Sequence, residues 1–176
     1  MSYENKWKEE FEYDERFIAR YKKLIGMLDG VPFSSVLDLG CGVQYLKYII
    51  PDEVYYTGVD LYKHKEDTLI CDFNKKEFVY ELDAYDLTIS AGVLEYIYEI
   101  PDFIHNISCI TTAFYLCSYH FREFTKYKPD IWTDTLLSFR EFVEIAEKEN
   151  FVLVKAITKA NDRDDNRATL MLFEKR

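Results

Sequence analysis

Between Val36 and Gly42 the chain reads "VLDLGCG", an apolar run broken by one acid and closed by two glycines one residue apart. No other stretch narrows the fold as much. A buried strand, Val36 to Leu39, meets a glycine turn and then a helical pattern, Val43 to Ile50, stopped by Pro51; a second strand follows at Val54 to Val59. That is a β-α-β unit, whose strands lie parallel in a sheet covered on both faces. Further strands are predicted at Thr68 to Cys71, Leu87 to Ser90 and Ile110 to Ser118, separated by helical patterns at Lys75 to Leu82 and Val93 to Ile107. Ser138 opens another helix with the capping box "SFRE", which turns Phe142, Ile145 and Ala146 toward the core. Val152 to Thr158 and Ala168 to Phe173 flank the charged turn "NDRDDNR" as a hairpin, so the last strand runs antiparallel. Upstream, Trp7, Phe11, Ile18, Tyr21, Ile25 and Leu28 recur at helical spacing from Tyr3 to Leu28, and Gly30 and Pro32 end that helix. The 176 residues suit one α/β domain, 1–176, with residues 1–30 as a helical cover segment and no internal repeat.

Composition removes several partners. A net charge of -10 repels polyanions, so nucleic acid is disfavoured. No apolar run approaches the roughly 18 to 20 residues of a membrane span, and the N-terminus has no apolar signal core, which points to a cytoplasmic protein. Cys41, Cys71, Cys109 and Cys117 form no C-x-x-C pair and the three histidines are scattered, so the thiols are read as reduced and mostly buried, without zinc or disulfides.

Open α/β sheets bind ligands beyond the carboxyl ends of their strands, and the first glycine turn marks the place. Gly40 and Gly42 let a ligand come close to the backbone. A dinucleotide fingerprint needs a third glycine where Tyr45 stands, and the Gly-Lys-Ser/Thr of a phosphate loop is absent. Asp38, two residues before the turn, would repel phosphate and attract an ammonium group. Asp60 ends "YYTGVD" about 20 residues beyond Gly40, the distance at which an acid accepts bonds from ribose hydroxyls. A nucleoside with a cationic appendage fits these residues better than a nucleotide.

With these residues in place, the stretch from Val36 to Arg176 resembles the class I S-adenosylmethionine-dependent methyltransferases. The resemblance implies a Rossmann-like, doubly covered, seven-stranded and mostly parallel sheet with a reversed last strand. It implies S-adenosylmethionine as cofactor, with Asp38 and the backbone of Gly40, Cys41 and Gly42 near the methionine portion. Asp60, with Leu61 beside it, matches the ribose-binding acid. "CDF" supplies Asp72 for the adenine amino group and Phe73 to cover the ring. "YDLTISAGVLEYI" resembles the fourth strand and its exit, which puts Ser90, Ala91 and Gly92 at the cofactor's amino-acid end and Leu94 against the adenosine. The family often has a third glycine where this chain has Gln44.

Methyl transfer from a sulfonium is an in-line displacement governed largely by positioning. The "NPPY"-type motif of amino-methylating relatives is replaced by "SAGV", which turns the expectation from a nucleobase amine toward a hydroxyl on a small-molecule acceptor such as a sugar or sugar derivative. A hydroxyl gains from a general base, and His120, closing "FYLCSYH" at the ligand edge of the sheet, is the candidate; a loop carbonyl is its ordinary structural partner. Glu95 and Tyr96 can face the substrate or simply cap and pack their helix. Asp38, Asp60 and Asp72 are engaged by the cofactor reading, so no metal is expected. In the irregular segment Phe121 to Leu137, Arg122, Lys126 and Lys128 interleave with Phe124, Tyr127 and Trp132, as a clamp for an anionic sugar or as a loop whose rings pack down. The alternatives are a protein or RNA methyltransferase working with a partner and a non-catalytic cofactor-binding module.

Overall fold

The apolar run Ser35–Leu39 forms β1, and its register sets the sheet. It pairs in parallel with β2 (Tyr55–Asp60) on one side and with β4 (Tyr85–Ala91) on the other, so that Leu39 stands opposite both Val59 and Ser90. Beyond β2 lies the short β3 (Leu69–Ile70); beyond β4 come β5 (Thr111–Thr125), β7 (Asn166–Lys175) and β6 (Phe151–Thr158). The order is β3-β2-β1-β4-β5-β7-β6, and β7 runs against the other six. The computed structural model describes residues 15–75, 83–158 and 166–176, with the side chains of Asn166 and Arg167 excepted. The expected helical pattern at Lys75 to Leu82, the turn at 161–165 and the N-terminal Tyr3, Trp7 and Phe11 lie outside the described residues, apart from Lys75.

Two apolar layers cover the sheet. Helices α2 (Ile100–Ile110) and α3 (Phe139–Lys148) set Phe103, Ile104, Ile107, Phe142 and Ala146 against Leu37, Tyr115, Tyr119 and Phe173 on one face. Helix α1 (Glu15–Ile25) buries Ile18, Tyr21 and Leu24 against Val36, Leu87, Ile89 and Leu116 on the other. Each fully buried aliphatic side chain contributes about 1.5 to 3 kcal/mol, so α1 is held by its apolar stripe. The predicted capping box is formed: Ser138 Oγ accepts from the Glu141 N–H at 3.2 Å, and Glu141 Oε2 accepts from the Ser138 N–H at 2.7 Å. Among the described residues no helix is long and apolar enough to cross a membrane.

Three expected elements differ. The helix predicted over Val43 to Ile50 is only a 3₁₀ turn, Tyr45–Tyr48, because Gly42 and Gln44 both adopt left-handed conformations and Pro51 follows, leaving too few residues to nucleate a helix. The helix predicted from Val93 divides into a 3₁₀ turn, Leu94–Tyr96, and α2, separated by the extended Ile97; Pro101 fits in the first turn of α2. Strand β5 continues seven residues past the expected Ser118, since β7 offers an antiparallel partner along it. His120 therefore sits within a strand rather than at its end.

Candidate functional site

The parallel register brings the carboxyl ends of β1, β2 and β4 level with one another, and the chain leaves β1 and β4 on diverging paths. There a cavity opens, with about 880 Å³ of empty space including its mouth. Its walls contain nine of the twelve residues expected to meet a cofactor: Gly40, Cys41 and Gly42 after β1, Asp60 and Leu61 after β2, Asp72 and Phe73 after β3, and Ala91 and Gly92 after β4.

The glycines serve different ends. Gly40 has φ +76°, and a Cβ there would lie 2.2 Å from Val93 Cγ2, so the turn admits nothing larger. A Cβ on Gly42, φ +53°, would meet no atom within 4 Å. That open space leaves the Gly42 backbone accessible from the cavity. Gln44, at the family's third glycine, also has φ +63°. A left-handed residue costs about 1 to 2 kcal/mol, which its side chain offsets by donating to Asp67 Oδ1 at 2.7 Å and Thr68 Oγ1 at 3.3 Å.

Asp60 faces the cavity with Oδ2 accepting from the Gly42 N–H at 2.8 Å, which holds the carboxylate beside the glycine turn. Asp72 accepts from the Asn74 N–H at 3.1 Å. Asn74, a wall residue the sequence reading missed, donates to the Tyr96 carbonyl at 3.0 Å and accepts from the Tyr98 N–H at 2.9 Å, tying the β3 loop to the β4 exit. An asparagine two residues after an aspartate is an ordinary turn signal, so nothing local marked it.

Asp38, Ser90 and Leu94 stand back from the wall. Asp38 is fully buried, and its two oxygens accept from Tyr21 Oη at 2.8 Å and Tyr56 Oη at 2.9 Å. It is a latch between α1 and the sheet, not the ammonium-facing acid expected. Burial raises its pKa to about 7 against the pull of the two hydroxyls, with a further push from the negative Asp60. Ser90 Oγ bonds to Tyr115 Oη at 2.6 Å, and Leu94 is buried in the core. The Cys41 thiol is pushed up by burial and by the charges of Asp38 and Asp60, so it stays protonated.

At the other end, the bond expected of His120 to a loop carbonyl is replaced by a carboxylate. Glu95, 2% exposed, places Oε1 2.6 Å from His120 Nδ1 and 3.1 Å from the His120 N–H, which donates to it. The ring packs on Trp132 at 4.7 Å, and the imidazole side chain is 18% exposed. His120 stands beside the cavity rather than on its wall: Trp132 hydrogen-bonds Tyr96, which does line it. Burial pushes Tyr96 up to about 12 against that hydrogen bond, so it is a neutral phenol at neutral pH and no base. Two buried oxygens here, Glu95 Oε2 and Thr133 Oγ1, have no hydrogen-bond partner among the described residues, although the Thr133 N–H donates to the Glu95 carbonyl at 2.8 Å. In the adjacent loop Arg122 is paired with Glu141 at 3.1 Å and Phe124 and Trp132 pack on the core, which removes Arg122 from the expected anion clamp.

At the level of sequence the chain matches no protein-family model and no curated protein. Its fold, however, is that of the class I S-adenosylmethionine-dependent methyltransferases. Magnesium protoporphyrin IX methyltransferase (ChlM) from Synechocystis PCC 6803, solved with bound SAH, superposes with a TM-score of 0.69 at 11% identity, covering 99% of this chain and 93% of that one. The N-methyltransferase NodS from Bradyrhizobium japonicum WM9 gives 0.67 at 14% identity over 94% and 99% of the two chains. An S-adenosylmethionine-dependent methyltransferase from Clostridium acetobutylicum ATCC 824 gives 0.68 at 10% identity over 93% of each.

Proposed function

We propose that this protein is an S-adenosylmethionine-dependent methyltransferase acting on a hydroxyl of a small molecule such as a sugar. The observation that carries the cofactor is the cavity wall itself. It combines a glycine turn with open space over Gly42, a carboxylate at the end of β2 and an acid-aromatic pair after β3. Asp60 would accept the ribose hydroxyls, for its Oδ1 receives only a long 3.4 Å bond from the Tyr62 N–H. Leu61 and Phe73 give the adenine an apolar bed, and Asp72 offers an acceptor for its amino group. When bound, the cofactor supplies an electrophilic methyl group on a sulfonium.

The chain's own chemistry lies at the β4–β5 end. A carboxylate accepts and does not donate, so Glu95 holds the hydrogen on His120 Nδ1 and leaves Nε2 with its lone pair to take a proton from an acceptor hydroxyl. Trp132 fixes the ring plane. The loop from Lys126 to Leu137 would then bound the acceptor, a role consistent with the unpartnered Thr133 Oγ1.

Thermal melting with S-adenosylhomocysteine, NAD and ATP tests the cofactor. S-Adenosylhomocysteine alone should stabilise, by about 2.7 kcal/mol at a hundredfold excess over its dissociation constant, and Asp60→Ala should weaken its binding by about 1.5 to 3 kcal/mol. Stabilisation by NAD instead defeats the reading.

A further inference from the structure

Trp132 touches both the wall of the cavity and the histidine beside it. Its ring packs on the His120 imidazole at 4.7 Å between centres, and its indole N–H, a group that only donates, bonds to the Tyr96 hydroxyl. The loop is fixed in this place by its own backbone: the Trp132 amide N–H closes a turn on the Pro129 carbonyl at 3.0 Å, and the Thr133 N–H donates to the Glu95 carbonyl at 2.8 Å. The 3₁₀ turn Leu94–Tyr96 therefore has two faces. Glu95 sends its carboxylate to His120, while Tyr96 stands on the cavity wall. Tyr96 is also gripped from the nucleoside side, where Asn74, a wall residue two positions after Asp72, donates to its carbonyl at 3.0 Å.

A ligand in the cavity would rest on Asn74 and Tyr96, and from Tyr96 one hydrogen bond and one ring contact lead to His120. Bonds and packed rings that restrict one another in this way carry coupling between neighbouring sites. We infer that Trp132 is a positioning residue through which the filled cofactor cavity sets the His120 ring. Cofactor against Tyr96 and Asn74 steadies the turn, the turn steadies the indole, and the indole aligns the imidazole that takes the acceptor's proton. The base is thus aligned in the protein that already holds a cofactor. This rests on the cofactor reading above.

NMR of the three histidine rings, titrated with S-adenosylhomocysteine, tests it. His64 lies on the cavity wall and His105 lies on α2, paired with Glu149 at 2.8 Å, so the two serve as positive and negative controls. In the wild type the His64 and His120 signals should move with one apparent dissociation constant while His105 stays still. Trp132→Phe keeps an aromatic ring beside His120 and removes the indole N–H, so the His64 movement should persist while that of His120 falls to less than about a third. Tyr96→Phe keeps its ring and removes the accepting hydroxyl; it should act likewise, and it decides the matter if Trp132→Phe does not fold. An unmoved His120 in the wild type, or an undiminished movement in either folded variant, overturns the assignment while leaving the cofactor reading intact. If calorimetry finds no binding of S-adenosylhomocysteine to the wild type, the cofactor reading falls and this inference with it.

Discussion

Two acids lie buried at the carboxyl edge of the sheet, Asp38 at the end of β1 and Glu95 after β4, and their surroundings are opposite in kind. Asp38 meets two neutral tyrosine hydroxyls, and around it Gln44 is bonded to Asp67 and Thr68 and Asp60 to the Gly42 amide. Polar side chains on this side tie neighbouring segments to one another. Glu95 meets an imidazole, a group that can carry a proton, and leaves Oε2 without a partner next to a loop whose Thr133 hydroxyl is also unpartnered. Burying a polar atom without a hydrogen bond costs roughly 1 to 3 kcal/mol, so the β4–β5 end keeps polar groups that an acceptor can satisfy. One region shapes a surface; the other is where the proposed function would place the acceptor.

The sharpest way to break this contrast is at His120. His120→Asn should lower methyl transfer by roughly a hundredfold to ten-thousandfold, the worth of a positioned base, without changing affinity for S-adenosylhomocysteine. Glu95→Gln should lower it less and should disturb the Nδ1-protonated tautomer visible in the nitrogen NMR spectrum, a spectrum simplified by there being only three histidines. A normal rate in His120→Asn would make this pair scaffold, like Asp38.

The Asp38 side should respond to pH rather than to turnover. Its folded pKa, about 7, lies above the ordinary carboxylate value because of burial. Between those values the folded state binds more protons than the unfolded one, so this group's contribution to stability declines as pH rises from about 4 to 7. Measured by urea unfolding, the stability of the wild type minus that of Asp38→Asn should fall by about 2 to 3 kcal/mol from pH 5 to pH 8. A difference that stays constant would mean that the two hydroxyls hold Asp38 charged throughout.

The smallest effect belongs to Gln44. Replacement by glycine relieves a left-handed side chain and removes two hydrogen bonds, so stability should move by less than about 1 kcal/mol and S-adenosylhomocysteine should bind within about twofold of the wild type. A large loss of affinity would show that Gln44, not the glycine turn alone, shapes the ligand edge.

Periodicity and punctuation are local, and what they encode was legible in the chain itself. The β1 run and its glycine turn, the capping box at Ser138 and the hairpin that reverses β7 all follow from residues a few positions apart. The spacing of Gly40, Asp60, Asp72 and Gly92 likewise announced the cavity, because each ends or closely follows a parallel strand and the strands are in register. The tertiary structure alone decided what the intervening polar groups touch. Asp38 and Tyr21 are 17 positions apart, Glu95 and His120 are 25 apart, and Arg20 reaches Ala91 across 71. None of these pairs lies on one helix face or one strand, so no period connects them. Whether an acid faces a ligand, a phenol or an imidazole is set by which strand ends become neighbours and how far α1 packs over them, and that is a property of the assembled sheet.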